Sequence, residues 1–333
     1  MAQQKKPLYD LSPRLTDKIC NNLRKIKHLK AKKNNELLKE FFGLSPDMLH
    51  SLDLFILAEE RFWEMEGNQV IFPESHAVLD NLFRARYQIK NLQVFNLPFK
   101  SFILAMPHGY KIDGYEIPSC LITWEKYQTS EHSYLYPFFK WVGLPKPGGI
   151  KHQESDPDEM ELGIIFQEPG VPMSYQRTLC FGSKVPAILE AKDIHEFAAI
   201  LGDYSQSNIR NIVKSNEKDL QIQFRLFKLI AALGVYNTAT GGEKLISGFP
   251  GSVEPKILGR GASQRLVMST LGNYTSHAED RTSPDAHYRS WHLRQLMDER
   301  FYKGEYSHMP PGSRIVFVKD TVVNGSVSPH TQK

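Results

Sequence analysis

Apolar residues recur at helical spacing through the first quarter of the chain, with charged residues between them. Between Leu15 and Leu29 the apolar side chains lie three or four positions apart, which predicts an amphipathic helix. Ser45 followed by Pro46 is typical of an N-cap and the first turn of another helix. Four helices are predicted in this way, over residues 15–29, 37–42, 45–62 and 75–90. Residues 1–92 are therefore predicted to form a helical region.

The pattern changes after residue 92, where short segments rich in Ile, Leu, Phe, Tyr and Trp alternate with clusters of Gly, Pro and Asp. Such segments are typical of β-strands. Six strands are predicted, over residues 101–106, 116–124, 162–166, 176–181, 264–271 and 313–318. Between the fourth and the fifth strand, a long apolar helix is predicted from about Leu220 to Tyr236, because its Ile and Leu side chains share one side.

These elements predict an α+β protein, in which a helical N-terminal region (residues 1–92) precedes a mixed region (residues 93–333) of short strands packed on the long apolar helix. The chain has 333 residues, 41% of them hydrophobic, so it can bury a sizeable core. Its first residues lead into no apolar segment, so we expect no signal peptide, and no apolar run reaches the roughly 20 residues that span a membrane. Three widely separated cysteines fit reduced thiols. We therefore expect a cytoplasmic protein without membrane contact.

Positive charge is concentrated at the N-terminus. Residues 1–33 carry ten Lys or Arg against two Asp, a balance of 10 − 2 = +8, so the remaining 300 residues carry 4 − 8 = −4. A basic segment on a mildly acidic body suits contact with RNA, a ribosome or an acidic protein surface. A solvated helix face is the alternative interpretation. The basic N-terminal patch consists of Arg24, Lys25, Lys27, Lys30, Lys32 and Lys33.

The sequence His-Tyr-Arg-Ser-Trp-His-Leu-Arg at residues 287–294 carries the densest candidate chemistry, within a motif that runs from 283 to 304. Arginine suits two-point contacts with phosphate or carboxylate, and histidine can exchange protons near neutral pH. His287 and His292 are candidate catalytic residues only if the protein is a nuclease. The candidate residues for binding RNA or a peptide are Arg289, Arg294, Arg300, Tyr302, Lys303 and Trp291.

The geometry of this motif differs between two alternatives. In a helix His287 and His292 diverge by about 140 degrees, which argues against a shared metal ion. In an extended segment His287, Arg289 and Trp291 share one side and His292 lies on the other. A third hypothesis is an internal polar network that serves the fold alone. The sequence contains no phosphate loop, dinucleotide fingerprint or nucleophile elbow, so no metal and no cofactor are predicted.

The spacing His-x-Arg-x-x-His-x-Arg, preceded by Ser-Pro and followed by Gly, Arg and Val-Asn, resembles a protein family found on phages and plasmids. This is the family of the type V-A anti-CRISPR protein that lowers the level of the type V-A CRISPR nuclease and its messenger RNA. The resemblance covers about the last 110 residues. The chain departs from the family pattern at Asp285-Ala286, Ser290-Trp291 and Lys319-Asp320. The matching residues are Ser283, Pro284, His287, Arg289, His292, Arg294, Gly304, Arg314, Val323 and Asn324.

The resemblance implies a mobile-element inhibitor of a host defence, which recognises the nascent peptide of its target during translation and causes loss of the target's messenger RNA. Its implied partners are the host defence protein or its nascent chain, with the ribosome or RNA as further contacts. Two alternatives follow from the residues themselves: a small metal-independent ribonuclease that uses the two histidines, and a non-enzymatic protein-interaction module.

Overall fold

The computed structural model describes residues 9–11, 51–126, 160–170, 175–202, 206–250, 267–272, 287–289, 292–318 and 321–323. The helices predicted over 15–29 and 37–42, and the whole basic N-terminal patch, lie outside these residues. Residues 283–286 and Trp291 of the C-terminal motif lie outside them as well, and so do the side chains of residues 287–289.

The described part of the chain is a mixture of helices and strands, which confirms the α+β class. In the first half the elements are β1 (Tyr9–Asp10), α1 (Ser51–Met65), β2 (Gln69–Pro73), α2 (His76–Arg84), β3 (Arg86–Gln88), β4 (Ser101–Leu104), β5 (Met106–Pro107), β6 (Lys111–Ile112), β7 (Tyr115–Glu116) and β8 (Cys120–Lys126). In the second half they are β9 (Met160–Gln167), β10 (Tyr175–Phe181), α3 (Val185–Glu190), α4 (Ile194–Leu201), α5 (Gln206–Ala239), β11 (Leu245–Ser247), β12 (Val267–Leu271), β13 (His287–Arg289), β14 (His292–Leu296), β15 (Arg314–Val318) and β16 (Thr321–Val323).

A seven-stranded sheet with the order β10-β9-β8-β4-β2-β12-β11 forms the centre of the fold. Strand β2 runs parallel to both of its neighbours, and the other neighbouring strands are antiparallel. Alternate residues face opposite sides, so Ile71 lies in the core under α2–α5 while Val70 and Phe72 pack in a second core with Ile56 and Trp63 of α1. The sheet is therefore covered by helices on both faces.

Helix α5 contains the segment predicted from Leu220 to Tyr236, but it begins at Gln206 and runs to Ala239. Its first half is rich in Asn, Lys, Glu and Asp, so the helix as a whole is longer and more polar than the apolar helix predicted from about Leu220 to Tyr236. The apolar side chains of its second half pack in the main core. Gly234 lies so close to Phe95 that a Cβ atom there would collide with the ring.

The N-terminal region is not purely helical, contrary to the prediction for residues 1–92. Strand β2 lies within it and pairs with β4 and β12 of the mixed region. The run Val70-Ile71-Phe72 is buried on both faces, and a short continuous apolar run cannot be assigned to helix or strand from periodicity. Helix α2 ends at Arg84 rather than near Lys90, because the next residues turn extended and form β3 against β14.

The buried Arg225 of α5 contacts both strands of the hairpin formed by β6 and β7. Asp113 and Gly114 form its turn with positive φ angles of 49° and 85°, the geometry that favours an Asp-Gly sequence. Arg225 donates from Nε to the carbonyl oxygen of Ile112 at 3.1 Å, and its guanidinium lies 4.4 Å from the centre of the Tyr115 ring. The side chain of Arg225 is only 6% exposed, so these contacts replace water around a buried charge.

Two smaller sheets complete the C-terminal part. Strand β14 lies between β15, to which it is antiparallel, and β3, to which it is parallel. Strand β13 pairs with β16 in a separate two-stranded sheet. Within the described residues, no helix combines the length and apolar character needed to span a bilayer.

Candidate functional site

The C-terminal His/Arg motif is extended where the structure describes it. His287–Arg289 forms β13 and His292–Leu296 forms β14, so these residues are extended and the helical alternative is wrong for them. The predicted placement of His287, Arg289 and Trp291 on one side lies outside the described residues. The two strands belong to different sheets. The motif is therefore divided between two structural units rather than presented along one helix.

Strand β14 has one inward and one outward face. Leu293 is 1% exposed and packs in the main core, and Gln295 is buried beside it. The Oε1 atom of Gln295 accepts a hydrogen bond from the backbone N–H of Lys90 at 2.7 Å, and its Nε2 donates to the carbonyl oxygen of Gly312 at 2.7 Å. These bonds fix β14 between the segment after β3 and the segment before β15. By alternation, His292, Arg294 and Leu296 lie on the opposite face, which we call the outward face; His292 and Leu296 are buried there, and Arg294 alone of the three is exposed.

Three arginines cross the outward face of this sheet in a diagonal line. Arg86 in β3 is paired with His292, the first residue of β14. Arg294 lies two residues further along β14. Arg314 in β15 is paired with Leu296, which is two residues further again. Diagonal neighbours on adjacent strands are about 7–8 Å apart. We call Arg86, Arg294 and Arg314 the arginine diagonal.

The outward face is cationic, because its paired positions carry three arginines and, among the residues that the structure describes there, no Asp or Glu. Besides the arginine diagonal, its paired positions hold Gln88, His292, Leu296, Val316 and Val318. The side chains of Arg86 and Arg294 are exposed, and in the part of the chain that the structure describes neither guanidinium has a hydrogen bond or an ion pair. Both are free to donate to a partner, and arginine is the side chain best suited to phosphate or carboxylate oxygens.

Arg314, the third member, lies beside an aromatic ring. Its Cζ atom is 3.4 Å from the centre of the Tyr306 ring, and its Nη1 donates to the carbonyl oxygen of Phe301 at 2.8 Å. A hydrogen bond to Glu305 raises the pKa of the Tyr306 hydroxyl, and the charge of Glu305 adds to this effect. Tyr306 itself is half-exposed. The diagonal therefore ends at a stacked arginine and an accessible aromatic ring.

The other residues predicted to bind RNA or a peptide have different surroundings. Tyr302 is buried, 7% exposed, and its hydroxyl bonds to the backbone of β14 and β15, so the hydroxyl serves the fold. Arg300 is exposed and lies 3.4 Å from Asp298 and 4.8 Å from the Phe301 ring. Lys303 is exposed at the start of a 3-10 helix. The structure does not describe Trp291 or the side chain of Arg289.

Sequence reasoning missed Arg86 because the segment was predicted to be helical. The alternation Arg86-Tyr87-Gln88-Ile89, polar and apolar in turn, is typical of a half-buried strand and could have indicated β3. Its pairing with β14, from the opposite end of the chain, has no signal in a single sequence. Arg314 was noted for the resemblance, but it was not among the predicted binding residues.

The described residues do not show His287 and His292 together as a catalytic pair. His287 lies in β13, and its side chain is not described, while His292 in β14 is 8% exposed. A nuclease needs both imidazoles within reach of one phosphodiester, and burial limits access to His292. Among the residues that the structure describes, no three His, Cys, Asp or Glu side chains gather as a metal site.

An acidic cleft of about 480 Å³ lies elsewhere, between β1, the loop before β8 and the turn after β9. Its lining includes Asp10, Glu116 and Glu168. Asp10 lies 3.1 Å from Nδ1 of His108, and Glu168 lies 2.5 Å from Nζ of Lys218. Two of the three carboxylates are therefore already paired with basic side chains of the same chain.

Comparison with known proteins finds no matching family model, no matching curated protein and no matching solved structure.

Proposed function

We propose that this protein is a cytoplasmic, mobile-element-encoded inhibitor of a host defence, similar in action to the type V-A anti-CRISPR family that its C-terminal motif resembles. In this proposal it recognises the nascent peptide of its target during translation and causes loss of the target's messenger RNA. The proposed partners are the host defence protein or its nascent chain, together with the ribosome or RNA. No cofactor and no membrane takes part.

The observation that best supports the proposal is that one sheet face carries two exposed arginines with no ion-pair partner among the described residues. Arg86 and Arg294 are exposed, and within the described part of the chain neither has an ion pair and no carboxylate occupies the paired positions of their face. Such a surface favours an anionic partner, and both RNA and an acidic peptide meet that description. The motif residue Arg294 contributes directly to this surface, which connects the resemblance to the geometry.

A binding function fits these contacts better than catalysis. Tyr302 and Gln295 use their polar groups to hold the strands, and the outward face offers charge rather than a pair of adjacent imidazoles. The ribonuclease alternative stays a prediction, which cleavage of RNA by the purified protein tests. If the purified protein cleaves RNA, changing both His287 and His292 to Gln should slow the cleavage by about a hundredfold or more.

The proposal is tested by separating the peptide from its codons. The protein is expressed in cells together with a host factor whose protein and messenger RNA it lowers. Synonymous recoding of the first codons of that factor should leave the loss intact, whereas changing the encoded N-terminal peptide should prevent it, because peptide recognition depends on side chains and RNA recognition on bases. Protection by synonymous recoding alone would contradict the proposal.

A further inference from the structure

We infer that the arginine diagonal binds single-stranded RNA, with phosphates on Arg86 and Arg294 and one base on the ring of Tyr306. This inference rests on the proposed function, because it selects RNA as the anionic partner of the same face. It is carried by the charge of the face, by the spacing of the three arginines and by the aromatic ring at one end.

The spacing suits an extended polyanion. Arg86, Arg294 and Arg314 lie on three neighbouring strands, each displaced by two residues along the strand direction. The Cα atoms of neighbouring members are therefore about 7–8 Å apart. Two successive phosphates of an extended strand can therefore meet the guanidiniums of Arg86 and Arg294. The absence of carboxylates from the paired positions of this face means that no position along the line repels the backbone of the nucleic acid.

The aromatic end distinguishes RNA from an acidic peptide. Arg314 covers one side of the Tyr306 ring at 3.4 Å, and the ring is half-exposed. Stacking of a base on an aromatic side chain contributes about 1–3 kcal/mol and requires an unstacked base, which single strands supply. An acidic peptide would use the guanidiniums but gain little from the ring.

The acidic side chains nearby agree with this arrangement. Asp298 is 3.4 Å from Arg300, and Glu305 is hydrogen-bonded to Tyr306, so both lie in the connection between β14 and β15 rather than on the sheet face. The carboxylate of Glu305 disfavours a phosphate at Tyr306. A base is therefore the group that fits there, while the phosphates lie along Arg86 and Arg294.

The test is fluorescence anisotropy with the full-length protein and a single-stranded RNA of about twelve nucleotides, over a range of salt concentrations. Arg86→Gln and Arg294→Gln should each weaken binding about tenfold and lower the slope of log affinity against log salt by about 0.7, since each removes one phosphate contact. Tyr306→Leu should weaken binding about tenfold with the salt slope unchanged. Arg61→Gln, which removes an exposed arginine from α1, is the matched control and should bind as the wild type does.

Any of the following results would overturn the inference: no binding of RNA at low salt, equal affinity of the wild type and the Arg86→Gln, Arg294→Gln double variant, or competition by polyglutamate as effective as competition by RNA. A duplex of the same sequence should bind more weakly, and equal binding would also contradict it. If no RNA binds in vitro while cells still lose the target messenger RNA, the inference fails and the proposed function stands. If RNA binds as expected but no target is depleted, the proposed function fails and the inference stands.

Discussion

The hydroxyl of Tyr302 donates a hydrogen bond to the carbonyl oxygen of Leu296 at 2.6 Å, which ties the loop after β14 back to the end of that strand. The phenol oxygen of Tyr302 also accepts hydrogen bonds from the backbone N–H groups of Gly312 at 2.9 Å and Arg314 at 3.0 Å. One phenol therefore joins β14, its connecting loop and the start of β15. The position of Arg314 at the end of the arginine diagonal depends on this junction.

Replacing Tyr302 by Phe should lower the free energy of unfolding by about 1–3 kcal/mol, because the part-buried N–H of Arg314 loses its hydrogen bond to the phenol. The Gly312 N–H and the Leu296 carbonyl oxygen keep the 2.9 Å hydrogen bond that joins them. Urea unfolding of the purified variant measures the change. Tyr306→Phe is the control, since Tyr306 is half-exposed and its hydroxyl bonds to the exposed Glu305, and it should change stability by less than about 0.5 kcal/mol. Equal losses in the two variants would contradict the role given to Tyr302.

Gly234→Ala should destabilise the protein by about 1–3 kcal/mol, although alanine normally improves a helix interior by about 1 kcal/mol. The new Cβ atom would collide with the ring of Phe95. Thermal unfolding measures the loss, and the same substitution in a Phe95→Leu background should cost clearly less, because the smaller side chain removes the collision. A loss that does not depend on residue 95 would show that this contact is not the cause.

Thr123→Val should be neutral or stabilising, by up to about 1 kcal/mol. The Thr123 hydroxyl is fully buried, faces Ser101 across the strand pair β4–β8, and has no hydrogen-bond partner among the described residues. Removing an unsatisfied buried hydroxyl at constant shape removes its desolvation cost. Thr270→Val is the matched comparison: the Thr270 hydroxyl donates to the carbonyl oxygen of Gly248 at 2.8 Å, so its loss should destabilise. Chemical denaturation measures the free energy of unfolding of both variants. A destabilised Thr123→Val protein would contradict the conclusion that the Thr123 hydroxyl has no hydrogen-bond partner.

Stability should fall at alkaline pH through Tyr87. Burial raises the pKa of the Tyr87 hydroxyl far above its usual value of 10.0, and the hydroxyl donates to the carbonyl oxygen of Leu82 at 2.7 Å. Above pH 10 the unfolded chain releases this proton while the folded protein keeps it, so stability present below pH 10 is lost as the pH rises. The free energy of unfolding, measured from about pH 8 to about pH 11, should decline less steeply in Tyr87→Phe than in the wild type. Parallel profiles would mean that Tyr87 does not titrate on unfolding.

Much of the fold follows from local patterns in the sequence. Strands β8, β9, β12 and β15 agree with predictions from short apolar or alternating segments bounded by turn residues. Strand β2 was missed because a strand buried on both faces shows no alternation of polar and apolar residues. The length of α5 was underestimated because its first half is mostly polar and has only a short apolar pattern at Ile209, Ile212 and Val213.

The candidate site was only half predictable. The motif identified Arg294, but Arg86 joins it through pairing between strands from opposite ends of the chain, which no local pattern encodes. Tyr302 was predicted to bind a partner because it lies among charged residues, yet it points into the structure. Composition indicates which residues suit an anionic partner, whereas register and burial decide which of them reach solvent.

The most direct test of the account measures messenger RNA across the transcriptome of cells that express the wild type, Arg61→Gln, or the Arg86→Gln, Arg294→Gln double variant at equal protein levels. The account predicts that the wild type and Arg61→Gln deplete the messenger RNA and protein of one host factor. It also predicts that the double variant leaves both near their normal levels, because the arginine diagonal has lost its unpaired cations. Full depletion by a folded double variant would contradict the claim that this face carries the function.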